Sequence, residues 1–532
     1  MKKRFIILTA LFLGVMPMWA QGVLDALPAL TQQPQGTARY TAMGGAFGAL
    51  GGDLTTIRQN PAGIGVYRSS ELSVTAGLNF YNNTVTSPSR VNKENGFYFT
   101  GDNLGIVGVI RWNDGVLRNL NFGFAYNNIA NFNNVYRADW NNIGTSVTNI
   151  IADNTCMYNV FPDELALADG YNPYQYGLPW MSVLAYNTYL INPTDANSDY
   201  YSGIFKEGTS GRAYLHTATS GAVDEYDFNI SGNISDKFYW GLSVNVTNIL
   251  YNIDSYYGES LKNAQVAATA NGVLSTTDGE FNIHNRLTTR GIGAGVKVGI
   301  IYRPFNFLRL GAAFHSPTYY DMSDTYSAAV EYDFNNIDGN REHGSMDDIN
   351  NQTDLGSFKY HLSTPWHFMA SAATVLGKWG IISVDYEYTD AQGTRYSGSD
   401  ADYESSSNKY ITEQMQGVHN VRVGAEFRAT PAFSIRAGYA YESSPMRKEY
   451  FNGTAIPQVV DGTLTQYQIP GNAHNISCGL GYRFNNFSVD VAYVHRMQDY
   501  SIYPFTTNNN SYCPTIMGMH HNSVKLSFGY RF

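Results

Sequence analysis

Side chains equipped for chemistry occur along this sequence, but their spacing matches no catalytic or metal-binding arrangement. His284, His315, His361 and His367 stand alone, and His520 adjoins His521. An imidazole pair could ligate a haem iron, which makes a haem-binding receptor one reading; the other is histidines that hydrogen-bond at a surface or in a lumen. Cys156, Cys478 and Cys513 form no C-x-x-C, and no H-E-x-x-H helix accompanies them, so no metal or cofactor is expected. Cys156 and Cys513 fall in expected loops, where a disulfide is one option, and Cys478 reads as a small apolar packing residue. A nucleophilic serine would need an elbow such as G-x-S-x-G, and a phosphate would need a loop such as G-x-x-x-x-G-K-[ST]; the sequence has neither, so no enzyme is expected.

The most distinctive stretch is built for shape. Residues 36–67, GTARYTAMGGAFGALGGDLTTIRQNPAGIGVY, carry Gly44, Gly45, Gly48, Gly51 and Gly52, which lack Cβ atoms and let backbone pass close to backbone. That suits a compact plug in a confined space; an ordinary glycine-rich loop is the alternative. The stretch closes on Asn60-Pro61-Ala62-Gly63. Asn60 can hydrogen-bond backbone through its amide, Pro61 fixes φ, and Gly63 can reverse the chain. None of these side chains does acid–base work, so the four are candidate gating residues rather than a chemical site.

Other elements must hold such a plug, and the ends of the chain say where. Lys2, Lys3 and Arg4 precede an apolar run at residues 5–15, and Ala20 offers a small residue before Gln21. This reads as a secretory signal peptide over residues 1–20, too short to span a bilayer as a helix. At the far end Val524, Leu526, Phe528, Tyr530 and Phe532 alternate with Ser523, Lys525, Ser527, Gly529 and Arg531. A terminal amphipathic strand closing on an aromatic residue is what the last strand of a barrel in lipid requires. Charged residues make up 15% of the chain, low against the ~25% of soluble proteins. The net charge of −10, with no Lys/Arg cluster outside the leader, argues against nucleic acid as a partner.

Between the ends, period-two segments separated by alternately short and long gaps read as fourteen strands: 70–80, 102–112, 118–128, 224–235, 238–250, 281–302, 307–334, 357–376, 380–389, 418–428, 433–442, 474–484, 487–495 and 523–532, with two long segments counted as single, bulged strands. The short turns are 113–117, 236–237, 303–306, 377–379, 429–432 and 485–486. Barrels of bacterial outer membranes segregate short periplasmic turns from long external loops, whereas a soluble sandwich has no reason to. In the hairpin EYDFNISGNIS-DK-FYWGLSVNVTNI, Phe238, Trp240, Leu242, Val244 and Val246 form a greasy face and Tyr239, Gly241, Ser243, Asn245 and Thr247 a polar one. Trp112, Trp240 and Trp379 fit interfacial aromatic belts. The longest gap, 129–223, holds NNIGTSVTNIIADN, a candidate helix, and YNPYQYGLPW, whose Tyr171, Tyr174, Tyr176 and Trp180 are candidate ligand contacts or the core of a loop that caps the barrel.

These features resemble the FadL/TodX family of outer-membrane channels for long-chain fatty acids and other hydrophobic compounds. The likeness rests first on Asn60-Pro61-Ala62-Gly63 after a Gly/Ala-rich segment, matching the family's N-terminal hatch. It extends to VGIIYRPFNFLRLGAAFHSP, STPWHFMASAATV, HNVRVGAEFRATPAFSIRAGYAYESSP and HNISCGLGYRFNNFSVDVAYVHRMQD. The resemblance implies an all-β transmembrane barrel of fourteen antiparallel strands (residues 70–532) with a hatch inside the lumen (residues 21–69). It also implies passive uptake of a hydrophobic ligand, and a third strand that kinks inward to open a lateral gap; Gly123, in NFGFAYNN, could permit that kink. The family's fatty-acid carboxylate partners match no motif here. The partners expected are the outer-membrane bilayer, a hydrophobic small molecule and, during biogenesis, barrel assembly machinery. An open porin for polar solutes is the alternative function, and a hatch is what separates the two.

Overall fold

Alternation of apolar and polar residues with period two builds the wall, as seen in a computed structural model that describes residues 22–112, 115–168, 170–176, 178–195, 198–267, 274–335, 341–347, 356–398, 401–457, 466–506 and 514–532. The wall strands are β1 (Glu71–Thr86), β2 (Val91–Arg111), β3 (Leu117–Asn131), β4 (Ser210–Ile234), β5 (Phe238–Ala267), β6 (Leu274–Phe305), β7 (Leu308–His315, resumed at Tyr319–Asn335) and β8 (Gly356–Ser363, resumed at His367–Leu376). They continue as β9 (Gly380–Asp390), β10 (Gly417–Arg428), β11 (Phe433–Glu442), β12 (Tyr467–Phe484), β13 (Phe487–Tyr503) and β14 (Thr515–Arg531). Neighbours pair antiparallel in chain order, and β14 returns to β1, with Glu71 opposite Arg531 and Thr86 opposite Ile516. Closure leaves these fourteen described strands without a free edge, so backbone groups inside lipid are satisfied along the ladder.

The two faces divide as the alternation requires. On β5, Leu242, Val244 and Val246 are exposed on the outer surface while Tyr239, Ser243, Asn245 and Thr247 are buried inside. On β14, Val524, Leu526, Phe528 and Tyr530 face out and Ser523, Lys525 and Ser527 face in. Cys478 belongs to the outer face of β12 and is exposed, rather than packed inside as expected. Trp112 and Trp379 sit exposed at the turn end, where interfacial tryptophans belong. No helix among the described residues is long and apolar enough to cross a membrane.

Several strands run farther than expected. β2 begins at Val91 rather than 102, β4 at Ser210 rather than 224, and β5 and β6 reach 30 and 32 residues, well beyond the ~9–11 that a membrane strand needs. The expected long loop at 81–101 is instead a continuing hairpin around a turn at 87–90. Above the membrane both faces of the sheet touch protein or water, so the greasy-and-polar alternation fades although the ladder continues. The two interrupted strands break side by side. His315 pairs with His367 below the break and Tyr319 with Ser363 above it. Pro317 and Pro365 have no N–H to give the ladder. Thr364 N still donates to Thr318 O (3.0 Å), so the wall bulges there without separating.

The segment between β3 and β4 folds into a cap on the loop end. Its helix Val147–Met157 begins at Ser146, whose Oγ accepts from Thr148 N at 3.1 Å, an N-cap by an expected residue type. Trp140, Ile151, Leu165, Val183 and Leu184 share a core with Tyr257, Phe281 and Tyr326, which rise from the wall, and with Phe505 just beyond β13. Cap and extended strands therefore share one apolar core.

Candidate functional site

The described residues ahead of β1 lie inside the barrel, and local rules explain their shape. Thr37 caps the helix Ala38–Ala42: its Oγ1 accepts from Tyr40 N (3.1 Å) and donates to Asp53 (2.8 Å), closing the glycine-rich middle of the hatch into a loop. Asn60 caps the 3-10 helix Pro61–Val66, with Oδ1 accepting from Ala62 N at 3.1 Å and Pro61 at the first helical position, where its missing N–H costs nothing. The Asn60 amide then donates twice, to Gly48 O within the hatch (2.6 Å) and to Ile300 O on β6 (3.2 Å). Asn60, Pro61, Ala62 and Gly63 are all fully buried.

The wall is shaped to receive this segment. A Cβ on Gly299 would collide with the Asn60 carboxamide, one on Gly241 with the Pro61 backbone, and one on Gly438 with the Gly44 backbone. Gly123 belongs to the same set. Its ladder to Val107 and Asn229 is unbroken, which corrects the expected kink in β3, and the space left by its missing side chain is filled by Ile57 and Ile64 of the hatch. Inward-facing wall residues supply the polar contacts. Asn121 Nδ2 donates to Ile64 O (2.6 Å), Arg309 to Leu50 O (2.5 Å), and Asp385 accepts from Gly48 N (2.8 Å) and Gln59 Nε2 (3.1 Å). His315 Nε2 lies 2.8 Å from Gln59 O; a carbonyl can only accept, so the proton is on Nε2. Two ion pairs anchor the charges: Arg39 with Glu426 (3.1 Å), and Lys525 with Asp102 (2.8 Å) while Lys525 also donates to Gln35.

Between this hatch and the loop end lies a cavity of about 230 Å³. Its lining includes Leu24, Leu27 and Leu30 of the first described segment, with Phe132, Tyr251 and Leu287 from the barrel side. The arrangement is concave, largely apolar and punctuated by a few polar groups, the usual make-up of a small-molecule site. No group of three or more His, Cys, Asp or Glu among the described residues could hold a metal ion. Three histidines each meet a non-histidine partner, His284 with Asp254 (3.0 Å), His361 with Asp321 (2.6 Å) and His521 with Tyr98 (2.8 Å), while His315 lies beside His367 and His495 beside His520.

A family model described as outer membrane protein transport protein (OMPP1/FadL/TodX) matches residues 205–528. The chain belongs to that family. The structure of a Pseudomonas aeruginosa FadL homologue superposes with a TM-score of 0.51 at 12% identity, covering 94% of this chain and 99% of that one. The Ralstonia pickettii toluene transporter TbuX (TM-score 0.46, 14% identity) and the P. putida toluene transporter TodX (0.46, 11%) each cover 94% of this chain and 99% of their own. No curated protein matches the sequence. As a member of the OMPP1/FadL/TodX family, the chain is an outer-membrane transport protein.

The aromatic quartet of the family member's long loop divides in two. Tyr174 and Trp180 are buried in the cap, where Trp180 meets Tyr326 edge-on at 5.6 Å. Tyr171 and Tyr176 stack 4.9 Å apart nearer its surface, and none of the four lines the cavity. Cys156 Sγ accepts from Tyr201 N (3.1 Å); its suggested disulfide partner, Cys513, lies outside the described residues. Sequence reasoning missed Arg39, Asp385 and Arg309 as hatch holders and missed the cavity lining altogether. The available signal was position: each wall residue named is an inward member of a period-two strand.

Proposed function

We propose that this protein carries hydrophobic small molecules inward across the outer membrane, holding them in the cavity above the hatch and releasing them when the hatch rearranges. The observation that supports this most directly is the cavity itself, largely apolar and lined by Leu24, Leu27 and Leu30 of the same N-terminal segment whose later residues, Gly44 to Ile64, the wall glycines leave room for. In this reading residues 1–20 are removed on export, the short-turn end faces the periplasm and the cap faces outward. The stacked pair Tyr171 and Tyr176 offers an arriving hydrophobe its first contact, while Tyr174 and Trp180 keep the cap rigid. Asn60-Pro61-Ala62-Gly63 acts as a conformational latch, because the Asn60 amide bridges hatch and wall and the other three set the turn that follows it.

Uptake of radiolabelled hydrophobic compounds by whole cells tests the reading. Cells carrying the protein should accumulate them faster than cells lacking it, and Asn60→Ala should change that rate several-fold while leaving the amount of barrel in the membrane near normal. Equal accumulation with and without the protein would overturn the proposal.

A further inference from the structure

The cavity wall carries polar atoms that the protein itself leaves unmatched. The carboxamide of Gln466, a residue 6% exposed, has no hydrogen-bond partner at either its oxygen or its nitrogen. Gln468 Oε1 and the Nε of the buried Arg496 are likewise without one. All three residues line the cavity. A buried polar group left without a partner is costly, and unmatched atoms on the buried Gln466 and Arg496 and the half-buried Gln468 beside them are accounted for most simply by an occupant that supplies the missing bonds.

Charge decides the kind of occupant. Asp25, Asp324 and Glu442 line the same cavity, against Arg496 as the one Lys or Arg among the described lining residues. That guanidinium is already committed: it donates to Gln498 Oε1 (2.9 Å) and lies 3.7 Å from Glu442. A carboxylate head would enter a wall with three carboxyl groups and a single, engaged cation. A bare hydrocarbon would leave the Gln466 amide unsatisfied. A hydroxyl both donates and accepts, carries no charge, and can satisfy the Gln466 oxygen and nitrogen in turn.

Resting on the transport reading above, we propose that the cavity selects neutral hydrophobes bearing a hydroxyl group, an aliphatic alcohol or phenol, and that Gln466 is the residue that recognises the hydroxyl. The test uses the full barrel held in amphipol, with N-phenyl-1-naphthylamine as a fluorescent occupant displaced by three probes of one chain length: octan-1-ol, octane and octanoate. Octan-1-ol should displace it at roughly tenfold lower concentration than either of the others, the scale of one well-made hydrogen bond. Gln466→Leu should erase that advantage while leaving the octane curve and the heat-modifiable mobility of the barrel unchanged. Octanoate displacing best, octane matching octan-1-ol, or an undiminished preference in Gln466→Leu would each overturn the hydroxyl proposal and leave the transport reading standing. Failure of the fluorophore to bind, or of all three probes to displace it, would overturn both.

Discussion

Arg39 of the hatch reaches 3.1 Å to Glu426 of β10, and Glu426 is held in turn by Arg436 on the neighbouring strand at 2.8 Å. The wall side of this contact is therefore complete without the hatch, since Arg436 also pairs with Asp490 (2.5 Å). Removing Arg39 leaves no orphaned carboxylate on the wall, and its effect falls on the hatch, which loses this contact together with the Arg39 hydrogen bond to Gly52 O (3.0 Å).

Arg39→Ala should thus preserve the barrel and weaken the seat of the plug. A largely buried, charge-assisted hydrogen bond contributes about 1.5–3 kcal/mol, so the undocked population should rise at least tenfold. Single-channel recording in planar bilayers should show frequent large openings that the wild type lacks. Glu426→Gln, which keeps the hydrogen-bonding shape, should give an intermediate record; a variant as quiet as wild type would mean the contact does not hold the hatch.

Steric fit gives a second handle on the same event from the wall side. A methyl group added at Gly299 occupies the place of the Asn60 carboxamide, and one at Gly241 that of the Pro61 backbone. Both glycines are paired within the β5–β6 ladder, so the strands themselves accept alanine. Gly241→Ala and Gly299→Ala should therefore assemble as heat-modifiable barrels yet conduct ions several-fold better than wild type, with the double variant no worse folded than either single one. Loss of the folded band on gels would place the defect in the wall instead.

The wall was legible in the sequence because lipid enforces a strict rule: each outward residue on a membrane strand must be apolar, so Leu242, Val244 and Val246 alternate visibly with Ser243, Asn245 and Thr247. Where that rule lapses, so did the reading. Above the membrane β5 continues to Ala267 with Asp254 and Glu259 in its ladder, a composition that resembles loop. Asn60 was legible because an Asn-Pro-x-Gly turn is local. Its partners were not: Ile300 lies 240 residues away and acts through a backbone carbonyl that no side-chain pattern reports. Gln466 and Arg496 were hidden for a related reason: both lie beyond the expected strands 474–484 and 487–495, Arg496 on the continuation of β13 and Gln466 just ahead of β12.

The two faces also predict opposite tolerances. Val244 stands on the greasy outer face and is 47% exposed there. Val244→Arg should cost about 2–4 kcal/mol in urea unfolding from lipid vesicles, the depth-dependent price of a cation among acyl chains, while Val244→Leu should be neutral. Equal midpoints for the two variants would mean that this face does not meet lipid.

Outside the membrane, the cap carries a titratable joint. Glu259, on the rising end of β5, accepts from Val147 N (2.9 Å) at the start of the cap helix and from the Tyr257 hydroxyl (2.7 Å). Burial raises its carboxyl from 4.5 to about 7, outweighing those hydrogen bonds, which favour the ionised form. In a detached cap the same carboxyl would ionise near 4.5. Between those values the docked cap holds a proton that the detached one has released, so each rise in pH favours detachment; above about 7 both forms are ionised and the effect levels off. Limited trypsin cleavage at Lys206, measured from pH 5 to 8 and normalised to a denatured standard, should accelerate up to about pH 7 and then hold steady. Glu259→Gln cannot ionise and keeps a carbonyl oxygen for Val147 N, so its normalised cleavage should be flat across the range. A slope that survives in Glu259→Gln would assign the joint to another group.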